Sequence, residues 1–140
     1  MHILLVEDNE GDIELTEIAF KKAKAEVVFS IAHNGVEALA LLARATTLPD
    51  LIMLDLNTPP MGGRQFLETV KGDDRLKSIP VIVLTSSDAP ADIADCYQRH
   101  ANCYILKPFN FEKFVAFAQQ IDAFWGKLVR LPARNESAAA

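Results

Sequence analysis

The chain has 140 residues, 50% of them apolar and 24% charged, which fits one globular domain with a substantial core and leaves no room for a second catalytic or DNA-binding domain. Its 14 lysines and arginines stand against 19 acidic residues, for a net charge of −5, and no basic run is present to neutralise a nucleic-acid backbone, so direct nucleic-acid binding is not expected. The opening MHILLVEDNE lacks the features of a signal peptide, and no apolar run approaches the roughly 20 residues that span a bilayer. A cytoplasmic protein without membrane contact is therefore expected.

The predicted elements alternate strand and helix, the pattern of a parallel sheet covered on both faces. A strand is expected over about 3–6 and a helix over 11–23, with Leu15, Ile18, Ala19 and Lys22 on one stripe. Residues 27–32 form a weaker, more alternating strand that suits a sheet edge, and the Asn34-Gly35 pair opens a helix over 36–44. The third strand covers 51–54. After the breaker cluster Pro59-Pro60-Met61-Gly62-Gly63, a helix begins over 64–70. Residues 81–84 make the fourth strand, a helix follows the loop 86–90 and stops near His100, the fifth strand covers 103–106, and the last helix starts near Phe111. The domain is expected over 1–132, with a disordered tail over 133–140.

Four apolar runs end in polar residues suited to a phosphoryl group or a metal: ILLV before Glu7-Asp8, LIML before Asp55, VIVL before Thr85-Ser86, and YIL before Lys107-Pro108. In an open α/β sheet, ligands bind outside the carboxyl ends of the strands, so this recurrence places one polar cluster at one sheet edge. A single aspartate after a strand would be read as a turn residue. Asp55 with Glu7 and Asp8 is different, because the three carboxylates repel one another unless a hard divalent cation such as Mg2+ sits among them. A carboxylate can attack phosphorus to give an acyl phosphate once a cation screens its charge. The Thr85 hydroxyl and Lys107 ammonium can each bond a phosphoryl oxygen. Pro108 makes the preceding peptide a candidate cis bond. Cys96 and Cys103 lack metal or redox spacing and are read as buried reduced thiols, and His2 and His33 as structural.

The order of these residues resembles the receiver domains of bacterial two-component response regulators, over about residues 2–125. The resemblance implies an α/β, flavodoxin-like (CheY-like) fold: a doubly wound five-stranded parallel sheet of order 2-1-3-4-5. It implies Asp55 as phosphoacceptor, Glu7, Asp8, Asp55 and the Asn57 carbonyl as Mg2+ ligands, Thr85 and Tyr104 as switch residues, and Lys107 before a cis proline. Tyr104 is expected to move inward when phosphate draws Thr85. The strings CYQRHANCYILKP over 96–108 and FWGKLVRLP over 124–132 are similar to small single-domain regulators that partner phytochrome-type histidine kinases. Gly62 stands where such domains commonly carry an acid, and His100 where a helix often ends in glycine, so a left-handed conformation is expected there.

The implied function is phosphoryl transfer from a histidine kinase, such as a bacteriophytochrome, to Asp55, with a changed protein-interaction surface as output and no enzymatic turnover beyond self-phosphorylation and autodephosphorylation. A downstream protein or phosphotransfer protein is the implied recipient. An aspartyl phosphatase would carry a second aspartate at position 57, where this chain has Asn57, and a nucleotide carrier would need a Gly-rich loop after the first strand. The alternative is a pseudo-receiver, an interaction module not regulated by phosphorylation, whose usual mark is loss of residues that are all present here. Phe111, Phe114, Val115, Ala118 and Ile121 form the last helix's covering stripe, while Phe117, Phe124, Trp125 and Leu128 extend the apolar surface beyond it. This surplus predicts a homodimer through helix 4, strand 5 and helix 5, with 128–132 reaching over the neighbour.

Overall fold

The computed structural model describes residues 1–134. Strands β1 (His2–Val6), β2 (Val28–Ala32), β3 (Leu51–Leu54), β4 (Val81–Thr85) and β5 (Cys103–Leu106) alternate with helices α1 (Glu10–Lys22), α2 (Gly35–Arg44), α3 (Gly63–Gly72), α4 (Pro90–Gln98) and α5 (Phe111–Ile121). The strands form one parallel sheet in the order β2-β1-β3-β4-β5, the expected doubly wound arrangement.

Alternating side chains divide the core between the two faces. Leu4, Val6, Ile52, Leu54, Val81 and Val83 point to the layer holding Ala38 and Leu42 of α2 and Phe66 and Val70 of α3. Ile3, Leu5, Leu51, Met53, Ile82 and Leu84 pack instead with α1 and α5. Every residue of β3 and β4 is buried, which is why those strands read as unbroken apolar runs. Edge strand β2 is only partly covered, and Val28 is exposed.

Asparagines open three of the five helices. Asn9, Asn34 and Asn110 each accept a backbone N–H three residues on, at 2.9, 2.9 and 2.8 Å, so side chains satisfy amides that the helix leaves unpaired. At the other end of α4, His100 has φ 71°, the left-handed conformation expected from the sequence.

The structure corrects several expectations. On α1 the buried residues are Ile13, Thr16, Ala19 and Phe20, while Ile18 is 48% exposed. Phe20 sets this rotation by meeting Phe29 and Phe117 edge to face, with ring centroids 5.1 and 6.1 Å apart. Phe117 is thereby core rather than surplus, and Phe111 is partly exposed. The peptide before Pro108 is trans; the cis bond among the described residues joins Pro59 and Pro60. Lys107 donates its N–H to Thr85 O at 2.8 Å, so the β4–β5 pairing carries through Lys107 and already aims its side chain at the sheet edge. Beyond α5 the chain continues as a π-helical turn, Asp122–Leu128. The segment after it returns to its own domain, where Arg134 donates to the Ser78 hydroxyl and carbonyl at 3.1 and 3.2 Å. The rest of the expected tail, 135–140, lies outside the described residues.

Gly63 fixes how α3 leaves the sheet. A Cβ there would lie 2.7 Å from Leu56 Cα and 2.8 Å from Asp55 O, contacts with backbone that no side-chain rotation relieves. Gly63→Ala is therefore expected to destabilise the fold by about 1–3 kcal/mol despite the better helix propensity of alanine, as measured by urea unfolding.

Candidate functional site

Parallel register brings the strand ends level. Val6 lies opposite Leu54 and Ala32, and Leu54 opposite Val83, so the next residues of each strand emerge at one edge. Glu7 N donates to Ala32 O at 2.9 Å and Asp55 N to Val6 O at 3.0 Å, which carries the ladder into the first polar residues. Glu7 and Asp55 are consequently 3% and 8% exposed. Buried carboxylates need compensation.

Lys107 supplies part of it. Its ammonium donates to Glu7 Oε2 at 2.8 Å, Asp12 Oδ2 at 2.8 Å and Asp55 Oδ2 at 3.0 Å. Burial works against the charged lysine, and these hydrogen bonds outweigh it, so its pKa is raised. Glu7 moves the other way for an acid: burial lifts its pKa from 4.5 to about 7, against the Lys107 hydrogen bond and with the Asp55 charge adding to the rise. The cluster carries more negative charge than one lysine can balance.

Carboxylate oxygens of Glu7, Asp8 and Asp55 lie within 4.8 Å of one another. That donor set suits a hard divalent cation, which takes carboxylate oxygens and completes its shell with water; Asp8 is exposed, leaving solvent access on that side. Asn57 is also at the site, its N–H donating to Asp55 Oδ1 at 3.2 Å.

Thr85 is 1% exposed at the end of β4, and its hydroxyl oxygen faces the Ser87 N–H at 3.5 Å. Ser87 is a junction: its carbonyl accepts the Tyr104 hydroxyl at 2.7 Å and its own hydroxyl donates to Asp92 Oδ2 at 2.5 Å. Asp92 is paired with Arg64 of α3, whose Nε also reaches Asp95 Oδ2 at 3.0 Å. The two residues read as a switch are thus joined through the backbone of Ser87, whose side chain ties the same loop to Asp92.

The structure gathers Glu7, Asp8, Asp55, Asn57 and Lys107 at one point and places Thr85 and Tyr104 around the adjoining β4–α4 loop. Sequence reasoning missed Asp12 and the Ser87–Asp92–Arg64 connection. For Asp12 a signal existed: Asn9 caps α1 by accepting the Asp12 N–H, so Asp12 sits in the first turn of a helix that opens at the site edge.

The sequence model of the response regulator receiver domain matches residues 3–119. Response regulator Rcp1 of Synechocystis sp. is 38% identical over 136 residues, spanning 94% of this chain and 92% of that protein. The crystal structure of the Mn2+-bound form of Rcp1 superposes with a TM-score of 0.85 at 37% identity, over 94% of this chain and 99% of the other. The structure of the phosphorylated cyanobacterial phytochrome response regulator RcpA gives a TM-score of 0.87 at 39% identity, over 94% and 98% of the two chains.

A proton on Glu7 and a divalent cation among these carboxylates would exclude one another. Because the folded Glu7 pKa lies above 4.5, the protonated acid's contribution to stability is complete below that value and is lost as pH rises through about 7. A divalent ion requires the ionised form. Calorimetric titration with Mg2+ between about pH 5.5 and 8.5 should show affinity climbing through the raised pKa and levelling above it, whereas an ordinary glutamate pKa would leave affinity flat across that range.

Proposed function

The chain belongs to the response regulator receiver family, and on that premise we propose that Asp55 accepts a phosphoryl group from a histidine kinase while Mg2+ is held by Glu7, Asp8, Asp55 and the Asn57 carbonyl. The observation that carries this reading is the convergence of Lys107 and three carboxylates around Asp55. Asp55 attacks phosphorus as the phosphohistidine bond breaks, and the leaving imidazole takes a proton. Lys107 and Thr85 bond the oxygens of the incoming phosphoryl group, and a cation held by the carboxylates would reduce its repulsion from Asp55. The protein supplies position and charge for one transfer and for hydrolysis of the product rather than multiple turnover.

Incubation with a small phosphodonor and Mg2+ should add one phosphoryl group by mass spectrometry, labile to hydroxylamine. Asp55→Asn should abolish it, and EDTA or Asp8→Asn should reduce it at least about tenfold. Labelling that survives Asp55→Asn would move the acceptor elsewhere.

The output rests on Thr85, Ser87 and Tyr104. A phosphoryl group that draws the Thr85 hydroxyl pulls on the loop whose Ser87 carbonyl anchors Tyr104, altering the surface of α4 and β5. Thr85→Ala should accept phosphate yet lose most of the phosphorylation-dependent change in partner affinity. Retention of all these site residues favours this reading over a pseudo-receiver.

A phytochrome-type kinase as donor is supported by the likeness to RcpA, a phytochrome response regulator, and by the 96–108 and 124–132 strings. A cytoplasmic site of action accords with the lack, among the described residues, of a helix long and apolar enough to cross a membrane. Self-association is supported by an open groove of about 840 Å3 that includes Cys103, Ile105, Trp125 and Leu128, beside Phe124 at 48% and Leu128 at 70% exposure. A second copy of the chain would cover this face about a two-fold axis. Sedimentation over a concentration series should show a dimer that Trp125→Ala weakens; a strict monomer with and without phosphorylation would refute it.

A further inference from the structure

Asp12 belongs to the charge cluster without belonging to the metal set. The oxygens that approach one another closely enough for a cation come from Glu7, Asp8 and Asp55, whereas Asp12 meets the site through Lys107 at 2.8 Å. Its backbone is fixed on both sides, the N–H by Asn9 Oδ1 at 2.9 Å and the carbonyl by the Thr16 hydroxyl at 2.7 Å. An ammonium has three hydrogens, and here each has a carboxylate partner: Glu7, Asp12 and Asp55.

We propose that Asp12 is a positioning residue that holds the Lys107 ammonium in competition with a phosphoryl group on Asp55, and thereby limits occupancy of the phosphorylated state. The proposal rests on Asp55 being the phosphoacceptor. A phosphoryl group adds negative charge beside Asp55 and is bonded by Lys107 to the extent that the ammonium is free to approach it. Glu7, with a side chain 4% exposed, has no solvent to replace its lysine contact, whereas the Asp12 side chain is 36% exposed and can be hydrated when released. Asp12 is therefore the partner that gives up the ammonium when the shift occurs, and its charge is what the shift works against. An amide in its place keeps the shape, removes the charge, and leaves the Glu7 carboxylate as the anion that shares the ammonium with the phosphoryl oxygens.

Beryllium trifluoride, which mimics a phosphoryl group on a carboxylate, provides the test at saturating Mg2+, with bound fluoride read by fluorine NMR. Asp12→Asn should lower the half-saturating concentration about fivefold, an effect of the size expected from one nearby charge in a partly solvated site. In a Lys107→Met background the same substitution should leave the half-saturating concentration unchanged, because the competition runs through the ammonium. Glu10→Gln, which removes an equal charge from a 78% exposed side chain on the same helix, should bind as the wild type does. Unchanged or weaker binding by Asp12→Asn, or an equal gain with and without Lys107, would overturn the proposal. Absence of Mg2+-dependent binding by the wild type, or its persistence in Asp55→Asn, would instead overturn the phosphoacceptor reading itself.

Discussion

A single ammonium compensates carboxylates that the sheet forces together. Parallel pairing of β1 with β2 extends into Glu7 and that of β3 with β1 into Asp55, so both backbones are fixed at the edge and both acids lie buried there. Removing charges from water costs several kcal/mol per ion, and the Lys107 bonds to Glu7, Asp12 and Asp55 offset only part of it. The fully buried β3 and β4 supply the stability that lets such a site persist. The residual negative charge suits the edge to a divalent cation, and burial of the Glu7 carboxyl, with the Asp55 charge beside it, raises its affinity for a proton.

The loops around this cluster are packed against their neighbours. Gly63 brings α3 against the backbone of Asp55 and Leu56, and Met61 lies over Gly35, whose N–H donates to the Met61 carbonyl at 3.2 Å. On the other side, Ser87 ties Thr85 to Tyr104 and, through Asp92, to Arg64. Arg64 is the residue directly after Gly63. A displacement at Thr85 therefore acts on a loop held from both β5 and α3, which gives a local change of charge a route to the α4 surface through contacts rather than distance alone.

The end of the chain shows how packing divides an apolar helix. Phe114, Phe117 and Ile121 enter the core, and Phe117 meets Phe20 of α1. Past Ile121 the π-helical turn rotates the face, with Phe124 packed edge to face on Trp125 at 5.3 Å and Leu128 turned outward. Arg134 then fastens the segment to Ser78, leaving the groove beside β5 open.

Legible in the sequence were the strand–helix alternation, the edge character of β2, the left-handed residue at His100 and the convergence of Glu7, Asp8, Asp55, Thr85 and Lys107 at one sheet edge, whereas Asn57 came from the family resemblance. Each is a local property: continuous apolar runs signal buried strands, and the first polar residue past a parallel strand must emerge at its carboxyl edge. The rotation of α1 was set by packing, because its apolar residues allow more than one stripe and the Phe20 contacts with Phe29 and Phe117 select one. The burial of Phe117 and the return of Arg134 to Ser78 depend in the same way on partners distant in sequence. Asp12 is the sharpest case: periodicity marks it as a polar first-turn residue, and its meaning comes from an ammonium 95 positions away that the fold alone brings within hydrogen-bonding distance.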